Sequence, residues 1–338
     1  MKSLVPLLSL LFAPVLAVAA GYPTLGHVDR LDPALDRLIA TDATIEKLCE
    51  GFTWCEGPVW KDGALLFSDV PENIIYQWKE GETKAAVFLQ PSGMLTPTPG
   101  FREQGSNGLV LDQQGTLVIC EHGERRLARL GSDRKTQTPV VDHFEGKRFN
   151  SPNDAAIRRN GDIYFTDPPY GLDKLNDSPI KELNFNGVYR CTPDGKVSLV
   201  TKDVTFPNGI AFSPDEKTLY IAVSDPKNPV IMAYDVQGDG SIANGRVFCS
   251  GVDAQGRGLK GAYDGLKVDR DGNVFTSAPG GLQILSPAGK PLGLIVTETV
   301  ISNCAWGDDG GTLYFTADHI VCRIKTKTRG DKFRTGLK

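Results

Sequence analysis

The sequence predicts an all-β chain, a six-bladed β-propeller closed by an N-terminal strand, on three observations. Six stretches begin alike: Glu56-Gly57-Pro58-Val59-Trp60, Asn107-Gly108-Leu109-Val110, Asn153-Asp154-Ala155-Ala156, Asn208-Gly209-Ile210-Ala211, Asp264-Gly265-Leu266-Lys267 and Asn303-Cys304-Ala305-Trp306. In each, an oxygen-bearing side chain is followed by a short residue and then apolar positions. About eight residues on, nearly every copy reaches a turn (Asp62-Gly63, Gln114-Gly115, Asn160-Gly161, Asp215-Glu216, Asp271-Gly272, Asp309-Gly310) and a second apolar run, which is the pattern of a β-hairpin. The hairpins recur at roughly 40–55 residues, the spacing of propeller blades.

Taken in order, residues 1–20 form an expected secretory signal. Lys2 precedes the apolar run from Leu4 to Leu16, and Ala17-Val18-Ala19 supplies the small-residue cleavage site. The run is shorter than a spanning helix requires, so export to a periplasm or the outside, free of the membrane after cleavage, is expected. Residues 21–42 are a lead-in in which Asp32-Pro33 opens a short amphipathic helix to about residue 39. Residues 44–49 look like a strand without a hairpin of its own, the candidate that completes the last blade beside the C-terminal segment and removes an open sheet edge.

The propeller is expected over 43–328, with a tail at 329–338. Blade one (54–89) should carry strands at 57–60, 64–69, 74–78 and 86–89. An insertion rich in Pro, Thr and Gly (91–104) precedes blade two (106–149) and is placed over the mouth of the channel, where loops carry function. Blade two holds His122 at the end of its second strand, blade three (152–204) a long polar loop at 168–186, and blades four, five and six span 206–251, 262–298 and 301–327. Asn176-Asp177-Ser178 is a glycosylation sequon.

Composition excludes several classes. Of 338 residues, 40% are hydrophobic and 23% charged, and a net charge of −4 leaves no basic stripe for nucleic acid. The 37 glycines and 22 prolines fit a turn-rich chain. Seven cysteines contain no C-x-x-C pair, which excludes a zinc ribbon. Ring closure suggests one disulfide, Cys49 with Cys322. There is no G-x-S-x-G elbow, no P-loop and no dinucleotide fingerprint.

The innermost strand of each blade runs along the central channel. Six equivalent leading residues, Glu56, Asn107, Asn153, Asn208, Asp264 and Asn303, then ring the axis as oxygen donors. Two carboxylates with neutral amides suit a hard divalent cation, with calcium preferred and Zn2+, Mn2+ or Mg2+ as alternatives. Asn and Asp before Gly also open strands for backbone reasons alone, so this reading stands on six copies in register.

The motifs Glu56-Gly57-Pro58, Ser151-Pro152-Asn153-Asp154, Tyr164-Phe165-Thr166-Asp167-Pro168-Pro169-Tyr170-Gly171, Pro207-Asn208-Gly209 and Asp264-Gly265-Leu266 together resemble the gluconolactonase, senescence-marker-protein and luciferin-regenerating-enzyme family over about residues 45–325. The resemblance implies a six-bladed propeller with one divalent metal in its channel and hydrolysis of sugar lactones. It makes Glu56, Asn208 and Asp264 metal ligands, with Asn153 at the substrate and sometimes on the metal, and Asp264 the acid that handles the proton. The family often carries an Arg two residues before that Asn; here Arg148 lies five before it. Asn107, His122, Arg148, Asp167 and Tyr170 complete the expected substrate contacts. The alternatives are an organophosphate or aryl esterase on the same site, and a non-catalytic calcium-stapled propeller that binds a sugar or a protein.

Overall fold

The computed structural model describes residues 21–331; the signal segment and most of the C-terminal tail lie outside them. Six antiparallel sheets stand around an axis. Their innermost strands are Cys55–Lys61, Ser106–Leu111, Ala155–Ile157, Pro207–Phe212, Leu266–Val268 and Asn303–Gly307. Each packs against the next, and the sixth returns to the first, so the ring is closed. Blade one follows the expected hairpins closely, with strands Cys55–Lys61, Ala64–Asp69, Ile74–Lys79 and Ala86–Leu89.

The first and second strands of each blade are apolar nearly throughout because both their faces are covered by neighbouring blades. Thus Ala64–Asp69, Leu117–Glu121 and Ile163–Asp167 are buried at every position. The core lies in layers between blades, as where Phe149, Phe165 and Tyr189 pack together with ring centroids 5.0–5.4 Å apart.

Closure occurs as expected and then goes further. Ile45–Glu50 pairs antiparallel with Ile320–Lys325 and completes blade six. Thr24–Leu25 adds a fifth strand beyond it, and His27–Arg30 adds a fifth strand to blade five by pairing with Pro291–Val296. The lead-in therefore ties two blades together. Its helix is a 3-10 segment, Pro33–Arg37, shorter than expected, with the Asp32 carboxylate accepting from the Ala34 amide at 2.8 Å. Leu35 and Ile39 are fully buried against these blades, each stabilising by about 1.5–3 kcal/mol.

The expected Cys49–Cys322 disulfide is absent, and all seven cysteines are free thiols. A register irregularity sets Cys49 opposite Val321 and Cys322 opposite Lys47. The two thiols then enter different core layers, Cys49 beside Trp78 and Cys322 beside Phe315. Strand neighbours on opposite faces of a sheet cannot meet the geometry a disulfide requires.

Candidate active site

The leading residue of three blades sits at a β-bulge: pairing with the second strand slips between Glu56 and Val59, between Ser106 and Leu109, and between Pro207 and Ile210. A bulge re-aims a side chain that would otherwise follow the pleat. The short residue that follows has its own reason. Gly108 N donates to Asn153 O at 2.7 Å, and Gly209 N donates to Asp264 O at 3.1 Å. A Cβ on Gly57 would lie 1.9 Å from Asn107 O, and one on Gly209 2.2 Å from Asp264 O. Each glycine is thus the seat for the next blade's leading carbonyl. Hydroxyls from second strands hold the same carbonyls: Ser68 Oγ donates to Asn107 O at 2.9 Å and Thr166 Oγ1 to Asn208 O at 2.7 Å.

This backbone ring delivers Glu56, Asn107, Asn153, Asn208 and Asp264, from five blades, to the wall of one cavity of about 270 Å3. Asn303 stands just behind them. Its Oδ1 accepts the Cys304 amide at 2.8 Å, which leaves Nδ2 to donate to Glu56 Oε2 at 3.1 Å. Glu56 Oε2 also takes the Gly57 amide at 3.0 Å.

Burial dominates the electrostatics. It pushes the Glu56 carboxyl up to about 7, against the pull of the Gly57 and Asn303 hydrogen bonds. Asp264 is pushed well above the carboxylate range by burial first, then by the neighbouring Glu56, Asp154 and Glu103, while Asn208 pulls the other way. Asp154 is buried too, with Oδ2 free of hydrogen bonds and Lys267 Nζ 3.8 Å away. Carboxylates crowded in a poorly solvated space favour either protons or a bound cation.

The donor set fits a hard divalent cation. It is oxygen only, its two ring carboxylates repel each other, and the buried Asn107 Oδ1 has no hydrogen-bond partner. Among the described residues no group of three or more His, Cys, Asp or Glu side chains is placed to hold a metal, so amide oxygens have to supply part of any such site.

The remaining expected residues divide. Tyr170 lines the cavity, its ring stacked on Phe206 at 6.1 Å between centroids. His122 lies behind the wall, fully buried, with neither ring nitrogen hydrogen-bonded, and burial holds its imidazole down to about 3. Asp167 is occupied structurally, accepting the Asn150 amide at 2.8 Å and the Ser151 amide at 2.9 Å. Arg148 is not among the residues lining the cavity: its guanidinium donates to Glu124 O, and its amide donates to Glu182 Oε2 at 2.9 Å. The position two before Asn153 holds Ser151, whose hydroxyl donates to Pro168 O at 2.6 Å.

Sequence reasoning did not name Trp54, Arg102, Glu103 and Ser224, which also line the cavity. Arg102 and Glu103 come from the 91–104 insertion, whose Arg102 and Glu103 amides donate to Gly171 O at 3.0 and 3.3 Å. The insertion and the 168–186 loop thus meet above the ring. The placing of 91–104 over the mouth was the one signal that pointed to these side chains.

Residues 54–319 match the family described as SMP-30/Gluconolactonase/LRE-like region. The chain belongs to this family. The matched span begins at Trp54 and takes in the leading residue of all six blades. The chain is 41% identical to a gluconolactonase of Zymomonas mobilis over 315 residues, 91% of this chain and 88% of the relative. A solved gluconolactonase structure from Xanthomonas campestris superposes with a TM-score of 0.78 at 31% identity, covering 91% of this chain and 99% of that one. A diisopropyl-fluorophosphatase of Loligo vulgaris is 26% identical over 249 residues, 72% of this chain and 78% of that relative. Arg102, from the 91–104 insertion, brings a guanidinium to the cavity wall.

Proposed function

We propose that this protein hydrolyses a sugar lactone to its aldonic acid beside a divalent cation, calcium by preference, held by Glu56, Asn208 and Asp264 with Asn153 adjoining. The observation that carries this reading is the convergence of two buried carboxylates and three amides from five blades on one cavity of about 270 Å3, with room for a single small ring. Family membership and the 41% identity to a gluconolactonase class the chain as a hydrolase of the lactonase type.

A lactone is a cyclic ester, so its opening requires a nucleophilic water and relief of the charge that develops on the carbonyl oxygen. A bound calcium ion supplies that relief electrostatically. Asp264 accepts a proton from the attacking water as the new C–O bond forms, then returns it to the ring oxygen as the ester C–O bond breaks. Without a cation, burial and the neighbouring carboxylates push the Asp264 carboxyl up; a cation held beside it would oppose that push and keep the carboxylate ionised to accept the proton. Asn153 and Asn107 orient substrate oxygens, and Asn303 keeps Glu56 turned toward the cavity.

Export is part of the proposal. It is supported by Lys2, the apolar run to Leu16 and the small residues at Ala17 and Ala19.

The test is base uptake at constant pH with glucono-1,5-lactone, with and without a chelator. Chelator-sensitive acid release above the spontaneous rate is expected, and readdition of calcium restores it. Wild-type protein that releases no acid from any aldonolactone overturns the reading. The Loligo relative supports a second reading on the same residues, hydrolysis of a fluorophosphate ester; fluoride release from diisopropyl fluorophosphate, run in parallel, separates the two.

A further inference from the structure

We propose that Glu103 is a substrate-positioning residue that accepts hydrogen bonds from the ring hydroxyls of the lactone, and so selects polyhydroxylated substrates over bare ones. This rests on the lactonase reading and extends it to a residue outside the oxygen ring.

The argument begins with what a sugar brings into a cavity. Each hydroxyl that leaves water carries a donor hydrogen, and a buried donor without an acceptor is costly. In the proposed mechanism Glu56 and Asp264 would be taken up by the cation and the water proton, so hydroxyls farther from the carbonyl need another acceptor. An ionised carboxylate is the strongest available, because it accepts only and offers about four lone-pair sites.

Glu103 meets the requirements of position and capacity. It lines the same cavity as the ring residues, and its side chain is only 17% exposed. Its backbone is held by its own amide on Gly171 O at 3.3 Å, and the segment before it by the Arg102 amide on the same oxygen and the Phe101–Leu172 bridge. Glu103 Oε1 receives Arg102 Nη2 at 2.8 Å. Oε2 has His122 Nδ1 at 3.7 Å, beyond hydrogen-bonding distance, so one carboxylate oxygen keeps its acceptor capacity. On balance burial holds the Glu103 carboxyl above the ordinary glutamate value, and the adjacent Arg102 guanidinium offsets only part of that push.

The experiment compares kcat/KM for glucono-1,5-lactone and for δ-valerolactone, the same ring without hydroxyls, in wild type, Glu103→Ala and Glu103→Gln. Isothermal titration with glucono-1,5-lactam and δ-valerolactam reads the same preference without turnover. Loss of a hydrogen bond to a charged acceptor predicts that the preference for the hydroxylated ligand falls about 10- to 100-fold in Glu103→Ala. Glu103→Gln, which retains the shape and a neutral acceptor, should recover part of it and serves if the alanine variant does not fold. A preference unchanged within about threefold in both variants overturns the proposal, as does an equal loss on both ligands, which is the signature of a merely structural role. Wild-type protein that binds the lactams with the expected discrimination but opens neither lactone sinks the lactonase reading and leaves the role of Glu103 standing.

Discussion

The two ends of the channel are built from the same six strands and have opposite chemistry. At one end the leading residues present carboxylates and amides to the 270 Å3 cavity. A few residues later the same strands surround an apolar space of about 70 Å3 lined by Val59, Leu109, Ala156, Ile210 and Trp306 among others. The difference teaches where the molecule separates chemistry from cohesion. Bulges at three of the strand starts re-aim the leading side chains toward the cavity, whereas the regular stretches beyond interdigitate as core. The glycine after each of four leading residues is the hinge between the two, since it belongs to both.

Three substitutions test that separation, in order of expected effect. At the polar end, Asp264→Asn should lower kcat about 10²- to 10⁴-fold, the usual contribution of a positioned base, with thermal melting near that of wild type. Steady-state kinetics beside a melting curve check it; near-normal turnover would remove Asp264 from its role. At the apolar end, Trp306 packs edge-on against Phe275 at 4.9 Å and is 4% exposed. Trp306→Ala should cost about 3–5 kcal/mol in denaturant unfolding while the folded fraction keeps its kcat. Loss of turnover without loss of stability would show that the ends are not separate. At the hinge, Gly209→Ala forces a Cβ against Asp264 O and should cost about 1–3 kcal/mol. Because the displaced carbonyl belongs to Asp264 itself, kcat should fall as well. A variant that loses stability alone would place the hinge wholly with the core.

Much of the architecture was legible because a hairpin is local. Asp62-Gly63 between two apolar runs specifies its turn within a few residues, and Ile45–Glu50 could be recognised as the closing strand because it had no partner nearby. The closing register was not legible. One irregularity between Val321 and Cys322 decides which face each thiol takes, and a one-residue slip moves every side chain to the other face. His27–Arg30 was missed as a fifth strand for a related reason: its partner, Pro291–Val296, lies more than 250 residues away.

The site divides along the same line. Sequence alone determined that oxygen-bearing side chains head equivalent strands, because a repeated unit carries equivalent positions with it, and it determined that no thiolate or imidazole heads them. Tertiary structure decided which polar side chains share a space. It tied Arg148 to Glu124 O, engaged Asp167 with the Asn150 and Ser151 amides, set His122 behind the wall, and brought Arg102 and Glu103 over the ring from an insertion. The direction of a loop side chain depends on what the loop packs against, here Gly171 and Leu172 of another blade, and no local pattern of residues encodes that contact.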